Sequence, residues 1–149
     1  MAISAPDLTQ RAPRSPRVRL GGFVVLPRVL DKGRATLAKK NGEFNFDCPL
    51  DNLFFNFVGV KGDQFKKELA KGRSDSEMLA WINKNGKQHP CANSIHLWSS
   101  RMEQAVPTNI EMRGYFNELC QTVAPKREDI ATWFDLLDVD DYVSFGGKP

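Results

Sequence analysis

The chain has 149 residues, 41% of them hydrophobic and 26% charged, with three cysteines and a formal charge of +3. One domain with a real apolar core is the expectation from that size and balance, and general disorder is excluded. No purely apolar run, Phe23-Val24-Val25-Leu26 included, comes near the length of a membrane span. No apolar block of signal-peptide length opens the chain. An odd and small number of cysteines argues against a disulfide framework and fits a cytoplasmic setting.

The modest net charge hides an asymmetry. Residues 1–40 hold nine Lys/Arg and two Asp/Glu, whereas residues 41–149 hold twelve and sixteen. Residues 1–20 read as an extended arm, because Pro6, Pro13 and Pro16 oppose helix. Arg11, Arg14 and Arg17 recur every third residue, the period of a polyproline II edge. The chain end carries Asp135, Asp138, Asp140 and Asp141. These would oppose the dipole of a preceding helix, so the arginines are expected to contact that tail, in the same chain or in a partner. The four aspartates fail the calcium-loop pattern.

A first helix is predicted from Leu26 or Pro27 to Lys40, stopped at Asn41-Gly42 with Gly42 left-handed. Glu43 to Cys48 alternates polar and apolar residues and predicts one short extended segment. A second helix follows over Pro49–Val58, and a third over Gln64–Lys71 with Asp63 as its cap. A fourth starts from the capping box Ser74-Asp-Ser-Glu77 and stops at Gly86. The fifth runs over Ala92–Gln104. The sixth opens on a second capping box, Thr108-Asn-Ile-Glu111. The seventh spans Lys126–Leu137, ahead of an acidic and then glycine-rich tail. Seven short helices with short connections predict a compact, mainly all-α bundle over residues 21–149.

Signals for chemistry are sparse. Phe44, Phe46, Phe54, Phe55 and Phe57 crowd one stretch, and their spacing favours a core cluster over a ligand pocket. Asp47 and Asp51 flank Pro49 and in one reading share a carboxylate pocket with Phe44, Phe46 and Phe54. Asp47 serves equally as a helix cap. His89, Cys91 and His96, with Cys48 from elsewhere, match no established metal spacing. His96 and Ser100 are four apart on one helix face, without an orienting acid for nucleophilic catalysis. No phosphate loop of the Walker or dinucleotide type is present, and no cofactor or metal is predicted. Gly59-Val60-Lys61-Gly62, followed by Lys66 and Lys67, has the outline of a backbone-clamping GXXG turn, diluted by Asp63 and Glu68.

Several runs together resemble a known family. They are Pro13-Arg-Ser-Pro-Arg17, Leu20-Gly-Gly-Phe23, Leu30-Asp-Lys-Gly-Arg-Ala35 and Asn41 to Asp51, then Phe65 to Gly72, Ser74-Asp75 and Trp133 to Asp141. In this order they are similar to the bacterial family catalogued as domain of unknown function 5069, across almost the whole chain. The resemblance implies a stand-alone cytoplasmic bacterial protein and brings no activity, cofactor or catalytic residue. Residues 88–125 match it least, so the His89/Cys91/His96 cluster is particular to this sequence.

The functional expectation is a non-catalytic binding module. It would engage an anionic ligand or an acidic protein surface through Arg11, Arg14, Arg17, Arg19, Arg28, Lys32 and Arg34. The alternatives are a nucleic-acid module using Gly59, Lys61, Gly62, Lys66 and Lys67, and a small enzyme with a carboxylate pocket at Asp47 and Asp51.

Overall fold

The structure, a computed structural model, describes residues 4–149. Its seven helices are α1 (Leu26–Leu37), α2 (Pro49–Val58), α3 (Gly62–Leu69), α4 (Asp75–Asn85), α5 (Ala92–Glu103), α6 (Ile110–Val123) and α7 (Trp133–Ser144). Among the described residues there is no strand, only an isolated bridge between Leu20 and Phe23.

The first helix is the axis of the molecule. Nine of its twelve residues are buried, Arg28, Asp31 and Lys32 among them. A helix buried on every side is a core element, and its charges must each find a partner. Against it pack Phe23, Phe54, Phe55, Phe65, Leu69, Met78, Ile82 and Phe134. Phe54 meets Phe23 edge-on at 5.4 Å between ring centroids, and Phe57 stacks on Trp98 at 4.8 Å. The phenylalanine-rich stretch is thus chiefly core. Gly33 lets α3 approach α1: a Cβ there would lie 2.6 Å from Leu69 Cδ2.

Several boundaries differ from the sequence expectation, each for a local reason. The seventh helix begins at Trp133, seven residues late, and runs through the acidic stretch that was expected to lie beyond the helix. Thr132 caps it: the Thr132 hydroxyl accepts from the Asp135 N–H at 3.1 Å, while the Asp135 carboxylate accepts from the Thr132 N–H at 3.0 Å. Thr-x-x-Asp is a capping box in its own right, and it outweighs the apolar spacing of Ile130. The sixth helix is capped by Asn109, whose side chain accepts from the Met112 N–H at 2.8 Å. Asn is the stronger cap, so Thr108 lies one residue outside.

The first helix ends early, at Leu37, with Lys39 in the left-handed region at φ 57°. The arm dictates this. Leu8 is buried, its N–H donates to the Lys40 carbonyl at 2.8 Å, and its own carbonyl lies against Gly42. Residues 43–48 form turns and not an extended segment. The helix over Pro49–Val58 is capped by Cys48, while Asp47 adopts φ 62° and donates its N–H to Asp51. Lys61, not Asp63, is the N-cap of α3, and Asp63 falls in the first turn. The Ser74–Glu77 capping box of α4 forms as expected.

The arm enters the first helix through Val25 at φ 71°, ψ −34°, a conformation that strains a β-branched residue. Such strain, of about 1–3 kcal/mol, persists only where the surroundings over-determine it. Here the Val25 N–H donates to the Pro16 carbonyl at 2.9 Å, and the Val24 N–H to the Ser99 hydroxyl at 3.1 Å. That buried hydroxyl in turn donates to the Gly22 carbonyl at 2.6 Å. The Gly21–Gly22 turn is therefore pinned to α5.

Candidate functional site

Six of the seven basic residues singled out in the sequence are turned onto carboxylates of the same chain. Arg14 grips Asp31 with its backbone N–H and its guanidinium, and reaches Asp75 at 2.7 Å. Arg34 meets the same Asp75 at 2.7 Å and the Arg73 carbonyl at 3.1 Å. Arg17 pairs with Asp135 and Asp138, and Ser15 donates to Asp138 at 2.7 Å. Arg28 holds Asp141 at 2.7 Å beneath the ring of Phe44. Lys32 holds Asp51 at 2.7 Å, and Arg19 meets Glu103 at 3.0 Å. Arg11 is exposed and has no ion pair among the described residues. The expected arm-to-tail contact is thus made within one chain by Arg17. Arg14 is diverted to Asp31 and Asp75, because the arm crosses α1 and α4 first.

These pairs set carboxylate affinities for protons. Burial would push Asp75 up, but hydrogen bonds from Arg14 and Arg34 outweigh it and hold the carboxyl below its usual range. Asp135 is also pushed up by burial, and the Thr132 and Ala131 N–H groups reverse that, leaving it below its usual range. Asp140 moves the other way, raised by burial and by neighbouring Asp141. A carboxyl depressed in the folded state contributes stability that is present above its unfolded pKa, about 3.9. That stability is lost as pH falls through the lower folded value. Urea midpoints are therefore expected to fall below about pH 4. The fall should be shallower in Asp75→Asn, compared by titrating both proteins from pH 6 to pH 2.5. Asp140 contributes with the opposite sign and offsets part of the loss.

A cavity of about 430 Å³ opens between the Gly21–Gly22 turn, the loop after α4 and the start of α5. Arg19, Asn83, His89 and His96 border it, over a floor that includes Phe23, Val58, Ile82 and Ile95. His89 takes φ 41°, a conformation few side chains adopt, and its Nδ1 lies 3.2 Å from the Asn83 carbonyl oxygen. A carbonyl only accepts, so Nδ1 carries the proton and Nε2 is the free ring nitrogen. The start of α5 has no side-chain cap hydrogen bond, and the positive end of its dipole lies beside the cavity. Among the described residues no carboxylate lines it.

The smaller hollow, about 260 Å³, is bordered by Thr36, Asn41, Asn45, Phe46, Asp47, Asp63 and Lys66. Asp51 is not there: it is wholly buried on Lys32, while the Asp47 carboxylate accepts from Asn52 at 3.0 Å and lies against Gly62. Phe54 is in the core, and Phe44 stacks on Phe145. The two carboxylates and three rings therefore do not share one pocket. Both glycines of the Gly59–Gly62 turn face their own chain, Gly59 against Lys87 and Gly62 against Asp47. Lys61 and Lys67 are exposed, and Lys66 borders the hollow.

His89 and His96 meet at one cavity. Cys91 stands beside it on the surface, and Cys48 is elsewhere, against Lys32. Among the described residues no group of three or more His, Cys, Asp or Glu could hold a metal ion. The Cys91 thiol is drawn below its usual pKa by the Ser94 hydroxyl, 3.3 Å away, and by backbone N–H groups of α5. The convergence of the histidines on the Gly21–Gly22 turn was not legible from spacing. The available signals were the double glycine and the His-Pro step, which mark unusual backbone.

Fold and site together define a small all-helical protein, clamped by internal ion pairs, with a cleft bordered by Arg19, Asn83, His89 and His96. Residues 10–143 match the family model described as Domain of unknown function (DUF5069), and the chain belongs to that family. No curated protein matches it. No helix is long and apolar enough to cross a membrane.

Proposed function

We propose that the protein binds a small anionic molecule in the cleft formed by Arg19, His89, His96 and the Gly21–Gly22 turn. The observation that carries this reading is that no carboxylate lines the cleft among the described residues. Arg14, Arg17, Arg28, Lys32 and Arg34, by contrast, are each met by an acid of the same chain. The cleft gathers two imidazoles, the start of α5 and the Arg19 guanidinium, which also meets Glu103 outside the lining, around an apolar floor. Charge-assisted hydrogen bonds from such groups suit carboxylate or phosphate oxygens. The cavity has the size of a small-molecule site and not of a protein-docking face, so a metabolite is favoured over an acidic protein surface. The paired Arg14, Arg17, Arg28, Lys32 and Arg34 then act as scaffold, and Arg19 is the member of that set that belongs to the site. A cytoplasmic setting is part of this reading and rests on the three reduced thiols.

Calorimetric titration with inorganic phosphate, citrate and glycerol phosphate tests the proposal. At least one should bind. His96→Ala and Arg19→Ala should each weaken it tenfold or more, about 1.4 kcal/mol, at an unchanged melting temperature. No binding heat from any of the three at millimolar concentration overturns it.

A further inference from the structure

The side chain of Lys32 is 4% exposed and that of Asp51 is fully buried. The lysine nitrogen lies 2.7 Å from Asp51 Oδ1 and 3.3 Å from the Cys48 sulfur. The remaining carboxylate oxygen accepts from the Asp47 N–H at 2.9 Å, so the acid is held in place. Cys48 is the N-cap of α2 and precedes Pro49, which fixes its backbone, and it retains partial exposure. A thiol is a poor acceptor for a buried ammonium, and a serine hydroxyl would serve better. What sulfur adds at this position is oxidation chemistry.

We propose that Lys32 and Cys48 form a reversible covalent cross-link when the protein meets a peroxide. In the first step the Cys48 sulfur attacks one peroxide oxygen and the O–O bond breaks. Sulfur is oxidised by two electrons to the sulfenic acid, and the peroxide is reduced to water. In the second step Asp51, 2.7 Å away, takes a proton from the Lys32 ammonium. The free amine attacks sulfur, the N–S bond forms, and the S–O bond breaks. The departing hydroxide takes up the proton held by Asp51 and leaves as a second water. Asp51, a carboxylate again, accepts the extra proton from the newly bonded nitrogen, which leaves a neutral sulfenamide. Thiol, amine and one peroxide thus give a sulfenamide and two waters. Two equivalents of an external thiol reverse it, regenerating thiol and amine and releasing a disulfide. The link ties the buried axis to the first turn of α2, independently of any ligand in the cleft.

Peptide mapping of the full chain tests this, with Cys91 and Cys120 replaced by serine so that one thiol remains. After hydrogen peroxide treatment and digestion with trypsin without reductant, cleavage after Lys32 should be lost. Residues 29–34 should appear joined to residues 41–61, two hydrogen masses below the sum of the separate peptides, and dithiothreitol should release them. Cys48→Ser should restore full cleavage after Lys32 under peroxide. Lys32→Arg, if it folds, should give only oxygen adducts on residues 41–61. Oxygen adducts at Cys48 with normal cleavage after Lys32 in the parent protein overturn the proposal, as does an unmodified Cys48. So does a linked pair that retains an added oxygen.

Discussion

Asp51→Ala is expected to lower the free energy of unfolding by about 3–5 kcal/mol, because it leaves the Lys32 ammonium buried without its counter-charge. The reading is a large fall in the urea midpoint at pH 7. Removing a carboxylate that is wholly enclosed also deprives the Asp47 N–H of its acceptor. Asp51→Asn keeps an acceptor for that N–H but not the charge, so it should fall between the two. Replacing both partners, Lys32→Met with Asp51→Leu, should recover much of the loss, since two apolar groups no longer carry an unpaired charge into the core. A double variant as unstable as Asp51→Ala would show that the acid acts through the backbone of residue 47 and not through the lysine. An Asp51→Ala protein of unchanged midpoint would remove the pair from the stability of the fold.

Phe54→Ala should cost a comparable amount, about 3–5 kcal/mol, from lost burial and the cavity left behind. Its ring is fully enclosed between Phe23, Phe55 and Trp98, and α1 runs past that cluster. The preceding residue supplies an internal control. Leu53 is 51% exposed on the same helix, so Leu53→Ala should stay within about 0.5 kcal/mol of the parent. Trp98 stacks on Phe57 and reports on the same region; its fluorescence should shift in Phe54→Ala and hold in Leu53→Ala. Equal midpoints for the two variants would refute the assignment of the phenylalanine cluster as the centre of the core.

Helix identity was legible along most of the chain because it is written locally. Apolar residues at helical spacing, Pro49 at a first helical position and the Ser74–Glu77 box each act within one or two turns, so α2, α4 and α5 lie where the sequence places them. Errors fell at ends, where two local signals compete. Thr108 and Asn109 are adjacent candidate caps, and the Asn109 side chain takes the bond. For α7 the apolar rhythm from Ile130 competes with the Thr132 box, and the reciprocal hydrogen bonds decide it. The end of α1 was out of reach, because the arm fixes it from some thirty residues upstream.

Charge tells a similar story. The sequence showed that a basic beginning and an acidic end exist, and that a helix ending in aspartates needs cations nearby. It could not tell which arginine meets which acid. Those pairings span distances such as Arg28 to Asp141 and Arg17 to Asp138, and they depend on how the arm crosses the bundle.

By itself, then, the sequence determined the helices, their apolar faces and the need to neutralise opposite ends of the chain, since all three follow from neighbours or from composition. Only tertiary structure decided which acids Arg14, Arg17, Arg28 and Arg34 meet, that Lys32 lies against Cys48 and Asp51, and that Arg19, His89 and His96 border one cleft. Those outcomes depend on helix packing and on a strained entry at Val25, where contacts from distant segments override the local preference of the chain.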